Sequence, residues 1–482
     1  MKNIKRLFIL SLVFIFSLSL SAGKLDKDLA RGFDSISPMD AYNYVKTMAL
    51  PKFAGRYTGH KGYTAAAKWA AAKFKKWGLK PISSKEGFLQ AFPRPYAIIP
   101  QAKMTLLKGK KHEKMELEAE SEFLPLLATD RGDNTAELVF AGWGVSAPEL
   151  GYDDYAGLDV KGKFVLCFRG VPDRSDPGFQ KHDEHRFRMQ MAKDKGAKGL
   201  FYIYSRPIAN PNMDLIKGFT NAIISEKVAD KIFEEKGFKA AELKKDLQTY
   251  KKPLSFSLVS QMHYQVEAKH FPQGTGYNII GYVEGSDPAL KQECLVFGGH
   301  FDHCGEHVGI LFPGANDNAS GSAVVMEIAE AFSKLKQRPK RSVVFVLFGG
   351  EEMGLLGSSY FVDHIPSQFK KVTTMFNFDM VGEGDGAGCS ISTEPKILAD
   401  VLKKSDETIN ILKHTSFFEG TSGGSDYAPF LQKRIPCYSF SSNGPHLEYH
   451  RSGDTIYRIN PDIMADIARL AFLTGYTLAN NS

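Results

Sequence analysis

The chain has 482 residues, 43% of them hydrophobic and 24% charged, with a formal net charge of +7. At roughly 150 residues per domain it holds two or three domains of ordinary globular composition, which excludes a disordered, collagenous or polytopic membrane chain. Its five cysteines are too few for a scaffold built on disulfides.

Lys2, Lys5 and Arg6 precede an apolar run from Leu7 to Leu20, which ends in Ser21-Ala22-Gly23. A charged start, a short apolar core and a small-residue exit make a secretory signal peptide. The run is shorter than the ~20 residues that span a bilayer. Residues 1–23 are therefore expected to be cleaved, leaving an exported protein, periplasmic or secreted, without stable membrane insertion. An uncleaved anchor is the alternative. Loss of the three basic residues brings the charge to about +4, too weak and spread out to argue for nucleic acid. Five cysteines cannot all pair within one chain. Cys167 and Cys294 sit in strand-like runs and read as buried thiols. A pairing of Cys304 with Cys389 or Cys437 stays open.

Residues 31–80 read as helices. From Tyr63 to Trp77, Ala66, Ala70, Phe74 and Trp77 recur at helical spacing. From Gly87 to about Leu127 the pattern is strand-like, with a basic hairpin turn at Lys108 to Lys114. Strands follow at Glu137–Val145, Lys161–Phe168 and Gly199–Tyr204, with a helix at about His185–Lys195 between the last two. His182 and His185 lie in a charged loop with no third ligand at a useful spacing and read as loop residues. From about Ser255 the rhythm changes. Tyr277–Val283, Cys294–Gly299, Ser342–Phe348 and Thr373–Phe378 are short apolar runs that read as buried strands of a largely parallel sheet. A helix at Ala319–Lys336 lies among them. The expected fold class is α/β, a mixed and largely parallel sheet between helices.

In such sheets, sites form beyond the carboxyl ends of the strands. There the chain carries His300-Phe-Asp302, Asn316-Asp317-Asn318-Ala-Ser-Gly321, Glu351-Glu352, Asn377-Phe-Asp379 and, after a strand near Cys437–Phe440, Tyr449-His450 with Asp454-Thr455. Each alone has an ordinary reading, such as a helix cap or a solvated pair. Together, two imidazoles and three carboxylates at strand ends, with Glu351 beside one of them, are the parts of a two-metal hydrolase. Divalent cations would offset the mutual repulsion of that negative charge.

This ordered set resembles the co-catalytic zinc aminopeptidases of metallopeptidase family twenty-eight, related to bacterial leucyl aminopeptidase and aminopeptidase Y. The resemblance covers about residues 30–132 and 253–475. It implies a discontinuous peptidase domain, 24–132 and 253–482, interrupted at 133–252 by a β-rich insert that resembles the protease-associated domain. It further implies two Zn2+ per chain. Asp317 matches the bridging carboxylate, His300 and Asp379 the remaining ligands of one ion, and Glu352 and His450 those of the other. Glu351 matches the general base and Asp302 the carboxylate that orients the first histidine. Asp454 is expected near His450. The implied substrates are peptides with a free N-terminus. His303, His307 and His446 are tempting ligands outside this set, and His60 reads as structural. Gly423-Gly424-Ser425-Asp426-Tyr427 resembles a family loop near the specificity pocket. Glutaminyl cyclases, which share the fold with one metal, and binding ectodomains of the transferrin-receptor type are the rival readings. Carboxypeptidases resembling glutamate carboxypeptidase II would need a basic pocket, and no arginine cluster suggests one.

Overall fold

Four parallel strands, Ser342–Phe348, Glu293–His300, Lys371–Phe378 and Cys437–Ser442, lie side by side in that order at the centre of the computed structural model. The model describes residues 25–211, 215–384, 388–412, 414–419 and 424–481. The segment read as a signal peptide lies outside these, as does Gly423. The central strands belong to a nine-stranded sheet among the described residues. Thr275–Val283 joins it antiparallel on one side, and Gly388–Glu394, paired in turn with His414–Glu419, closes the other.

The apolar runs form buried strands because helices cover both faces of the sheet. Successive side chains point to opposite faces. Leu295, Phe297, Val343, Phe345 and Leu347 therefore enter one core, with the helices Lys61–Lys76, Gly321–Ser333 and Pro461–Asn480. Cys294, Val296, Val344 and Val346 enter the other, with Phe361 and Phe430. Local signals fix the helix starts. Ser37 accepts a hydrogen bond from the Asp40 amide ahead of Pro38–Met48, whose first residue is proline. His60, read as structural, accepts from the Gly62 amide and caps Lys61–Lys76.

A second, eight-stranded sheet contains the expected insert and reaches past it at both ends. Its order begins Glu113–Glu116, Tyr96–Lys108, Ser255–Phe271, Gly132–Ala141 and continues through Phe164–Phe168, Gly199–Tyr204, Thr220–Ser225 and Phe123–Pro125. The 17-residue strand Ser255–Phe271 is the reason. It pairs with Tyr96–Lys108 on one side and Gly132–Ala141 on the other. Two paired segments thus cross between the sheets together. The Arg94 amide donates to the Gly274 carbonyl at 2.7 Å there, and Tyr96 stacks on Phe271. The sheet accordingly spans 96–271 rather than 133–252.

No disulfide is present among the described residues. Cys304 packs with Leu124, Ala209 and Phe312, whereas Cys437 lies in one core with Phe430 and Cys389 in the other with Ile391, so neither pairing left open for Cys304 forms.

The helix Gly321–Ser333 starts against the end of strand Lys371–Phe378. A Cβ on Gly321 would lie 2.2 Å from the Phe378 carbonyl oxygen, so only glycine allows this approach. Gly321→Ala is expected to lower the unfolding free energy by about 1–3 kcal/mol, read as a shifted urea midpoint. An unchanged midpoint would contradict the close packing.

Candidate metal centre

Because the four central strands are parallel, their carboxyl ends lie on one edge of the sheet. His300 ends one strand, Asp379 follows Phe378, and Glu351 and Glu352 follow Phe348 by a short loop. His450 arrives on the loop after Ser442, with φ of +55°. Asp317 lies between the strand ends, at a break in helical geometry before Gly321–Ser333.

The structure brings all five expected ligands together. His300 Nε2 is 3.2 Å from Asp317 Oδ1 and 3.3 Å from Asp379 Oδ1. His450 Nε2 is 3.3 Å from Asp317 Oδ2 and 2.8 Å from Glu352 Oε2. Each Asp317 oxygen therefore faces a different imidazole. The set is rich in nitrogen and oxygen donors suited to divalent zinc, and Asp317 Oδ2 is buried without a hydrogen-bond partner. These residues fit a pair of cations bridged by Asp317.

Backbone carbonyls set the histidine tautomers. His300 Nδ1 lies 3.2 Å from the Asp302 carbonyl, and His450 Nδ1 lies 2.9 Å from the Ala209 carbonyl. A carbonyl only accepts, so Nδ1 carries hydrogen in both rings and Nε2 is left for the centre. The Asp302 carboxylate, expected to orient His300, is farther off at 3.9 Å. It instead accepts from the Glu351 amide at 3.2 Å. Asp454, expected near His450, grips the bridge. Its two oxygens accept from the Asn316 and Asp317 amides at 2.8 and 2.9 Å.

Four contributors lie outside the expected set of ligands and base, and of these the sequence had singled out only His303 and the loop that holds Ser425. Arg56 is fully buried and donates to the carbonyls of Phe301, Met48, Pro313 and Gly314, tying both ligand loops to the preceding helix. Ser425 donates to Asp379 Oδ2 at 2.7 Å and accepts from Asn377. Ala209 exchanges both backbone groups with His450, its amide donating to the His450 carbonyl. His303 Nδ1 lies 2.8 Å from Glu352 Oε1. An arginine or an alanine outside any motif leaves no signal in one sequence. His303, adjoining Asp302, did leave one. The other near-misses lie apart from the set: His307 bonds the Cys304 carbonyl, and His446 bonds Asn316 and the Ser442 carbonyl.

Electrostatics follow from crowding. Burial opposes charge on His300, yet Glu351, Asp379 and Asp317 hold its pKa well above the usual imidazole range. Burial likewise works against Glu352, but His450 and His303 hold it at about 2. Glu351 is raised well above the carboxylate range by burial, with Asp379 and Glu352 adding to the shift and His300 opposing it. Burial lowers Arg56 to about 10, against the pull of Asp454 and Asp302, so it stays cationic beneath the cluster at neutral pH.

Residues 278–474 match the model of peptidase family M28. Over this segment the chain is similar to the M28 peptidases. All seven site residues expected from the sequence lie within the M28 segment. Aminopeptidase YwaD from Bacillus subtilis (strain 168) is 28% identical over 333 residues, covering 66% of this chain and 64% of that protein. Leupeptin-inactivating enzyme 1 from Streptomyces exfoliatus is 31% identical over 206 residues, 39% of this chain and 44% of that one. The chain thus spans less than two thirds of the length of either relative. The crystal structure of BSAP, described as a zinc aminopeptidase from Bacillus subtilis, superposes with a TM-score of 0.63 at 21% identity, covering 92% of this chain and 95% of the other. The mixed α/β fold is therefore shared across the M28 segment and the second sheet together.

Asp454→Ala removes the grip on the bridge without touching a ligand atom. Zinc affinity, measured by competition with a chromophoric chelator, is expected to fall about 10–100-fold. Unchanged affinity would mean that Asp317 holds its place unaided.

Proposed function

We propose that the protein is an exported, zinc-dependent aminopeptidase that removes N-terminal residues from peptides using two zinc ions. The observation that carries this reading is Asp317, whose two oxygens face His300 and His450 on opposite sides. His300 and Asp379 would hold one ion, and Glu352 and His450 the other. Two zinc ions bound there would polarise the scissile carbonyl and lower the pKa of a water toward neutrality.

The chain's own residues supply the proton path. The Glu351 amide donates to the Asp302 carboxylate, which holds its backbone, and its carboxyl interacts by charge with Asp379 and Glu352. Burial with Asp379 and Glu352 nearby raises the Glu351 carboxyl, and the positive charge of cations held beside it would favour the ionised form that a base requires. In the proposed reaction the Glu351 carboxylate takes a proton from the attacking water and returns it to the leaving amine. The free-amine requirement draws support from relatives named aminopeptidases. We read the 96–271 sheet as the protease-associated insert, and export as periplasmic or extracellular.

Glu351→Gln is expected to lower kcat about 10²–10⁴-fold while bound zinc is unchanged. Aminoacyl substrates with a free amine should be cleaved and their N-blocked counterparts left intact. Normal turnover by a folded Glu351→Gln protein would sink the assignment of the base. Equal cleavage of blocked substrates would exclude an aminopeptidase.

A further inference from the structure

His303 and Cys304 follow Asp302 directly, and neither belongs to the ligand set above. Both are fully buried. His303 Nδ1 lies 2.8 Å from Glu352 Oε1 and 3.9 Å from Asp317 Oδ2. Its Nε2 is buried without a hydrogen-bond partner. The ring meets that of His450 edge-on, with centroids 5.6 Å apart. A His303 nitrogen, Cys304 Sγ and a Glu352 oxygen all lie within 4.8 Å of one another. Zinc sits about 2.0–2.3 Å from nitrogen, oxygen and sulfur donors, so only small side-chain shifts separate this trio from a shared ion.

We propose that the cation on the Glu352 side takes His303 and Cys304 Sγ as further donors. This deepens the two-metal reading and rests on it. The two sides of the centre then differ in chemistry. His300, Asp317 and Asp379 offer one nitrogen and carboxylate oxygens. The Glu352 side adds a second imidazole and a thiolate to His450 and the carboxylates. Soft and borderline donors select zinc or cobalt, whereas surroundings dominated by carboxylate oxygens are more tolerant of manganese or magnesium. The Glu352 side is therefore the tight, thiophilic position, and exchange with manganese is confined to the His300 side. The thiol loses its proton to solvent as the cation binds.

The test is a cobalt titration of the metal-free full-length protein, following the near-ultraviolet thiolate-to-cobalt charge-transfer band beside total cobalt bound. The wild type should show the band as one equivalent binds. Cys304→Ser should lose it while still binding cobalt. His303→Gln and Cys304→Ser should each weaken zinc binding at one position about 10–100-fold and narrow the zinc-to-manganese preference. Two cobalt ions bound by wild type without the band would overturn the proposal, leave the two-metal reading standing, and reduce His303 to a hydrogen-bond partner of Glu352. No cobalt uptake by folded protein would overturn both. The wild-type spectrum decides even if a variant fails to fold.

Discussion

The position of Asp317 is the constraint on which the rest of the centre depends. Its two oxygens can face two imidazoles only if its backbone stands clear of the following helix. Three devices hold it there. Asp454 accepts from two consecutive amides, and hydrogen bonds to a carboxylate are the stronger kind. Arg56 binds the carbonyls of Pro313 and Gly314 just upstream. Gly314 turns the chain at φ of +57°, where a Cβ would strike His303 and the Asp317 carbonyl. The buried guanidinium also places positive charge beneath a group of carboxylates that would otherwise repel one another.

The second sheet takes part in the centre as well. Ala209 supplies the carbonyl that fixes the His450 tautomer, and its amide returns a bond to His450. Arg206 donates to the Leu447 carbonyl, and Glu120 accepts from the amide and hydroxyl of Ser452. The His450 loop is therefore held at three points along its length by loops that join strands of the second sheet. Any shift of that sheet moves a ligand of the proposed centre, which ties the two layers of the molecule to one chemical task.

Much of this was legible in the sequence because burial on both faces writes itself as unbroken apolar runs. The Cys294–Gly299, Ser342–Phe348 and Thr373–Phe378 runs are strands in the structure. Parallel neighbours then send His300, Glu352 and Asp379 to one edge without further information. The extent of the second sheet was not legible. Alternation in Tyr96–Lys108 and Ser255–Phe271 is the same whichever sheet a strand joins, and only pairing decides. Asp454 reaches amides 138 and 137 residues away, and such a contact has no local signature. Asp302 was expected to serve His300 through its carboxylate, but its carbonyl is the nearer group. A residue type fixes a side chain's chemistry and leaves open which of its atoms faces the partner.

The most direct test of the account is anomalous diffraction at the zinc edge from crystals grown with zinc. Two peaks about 3.5–4 Å apart are predicted, one beside His300 and Asp379 and the other beside Glu352 and His450, with Asp317 between them. A single peak, or two peaks that Asp317 does not bridge, would contradict it.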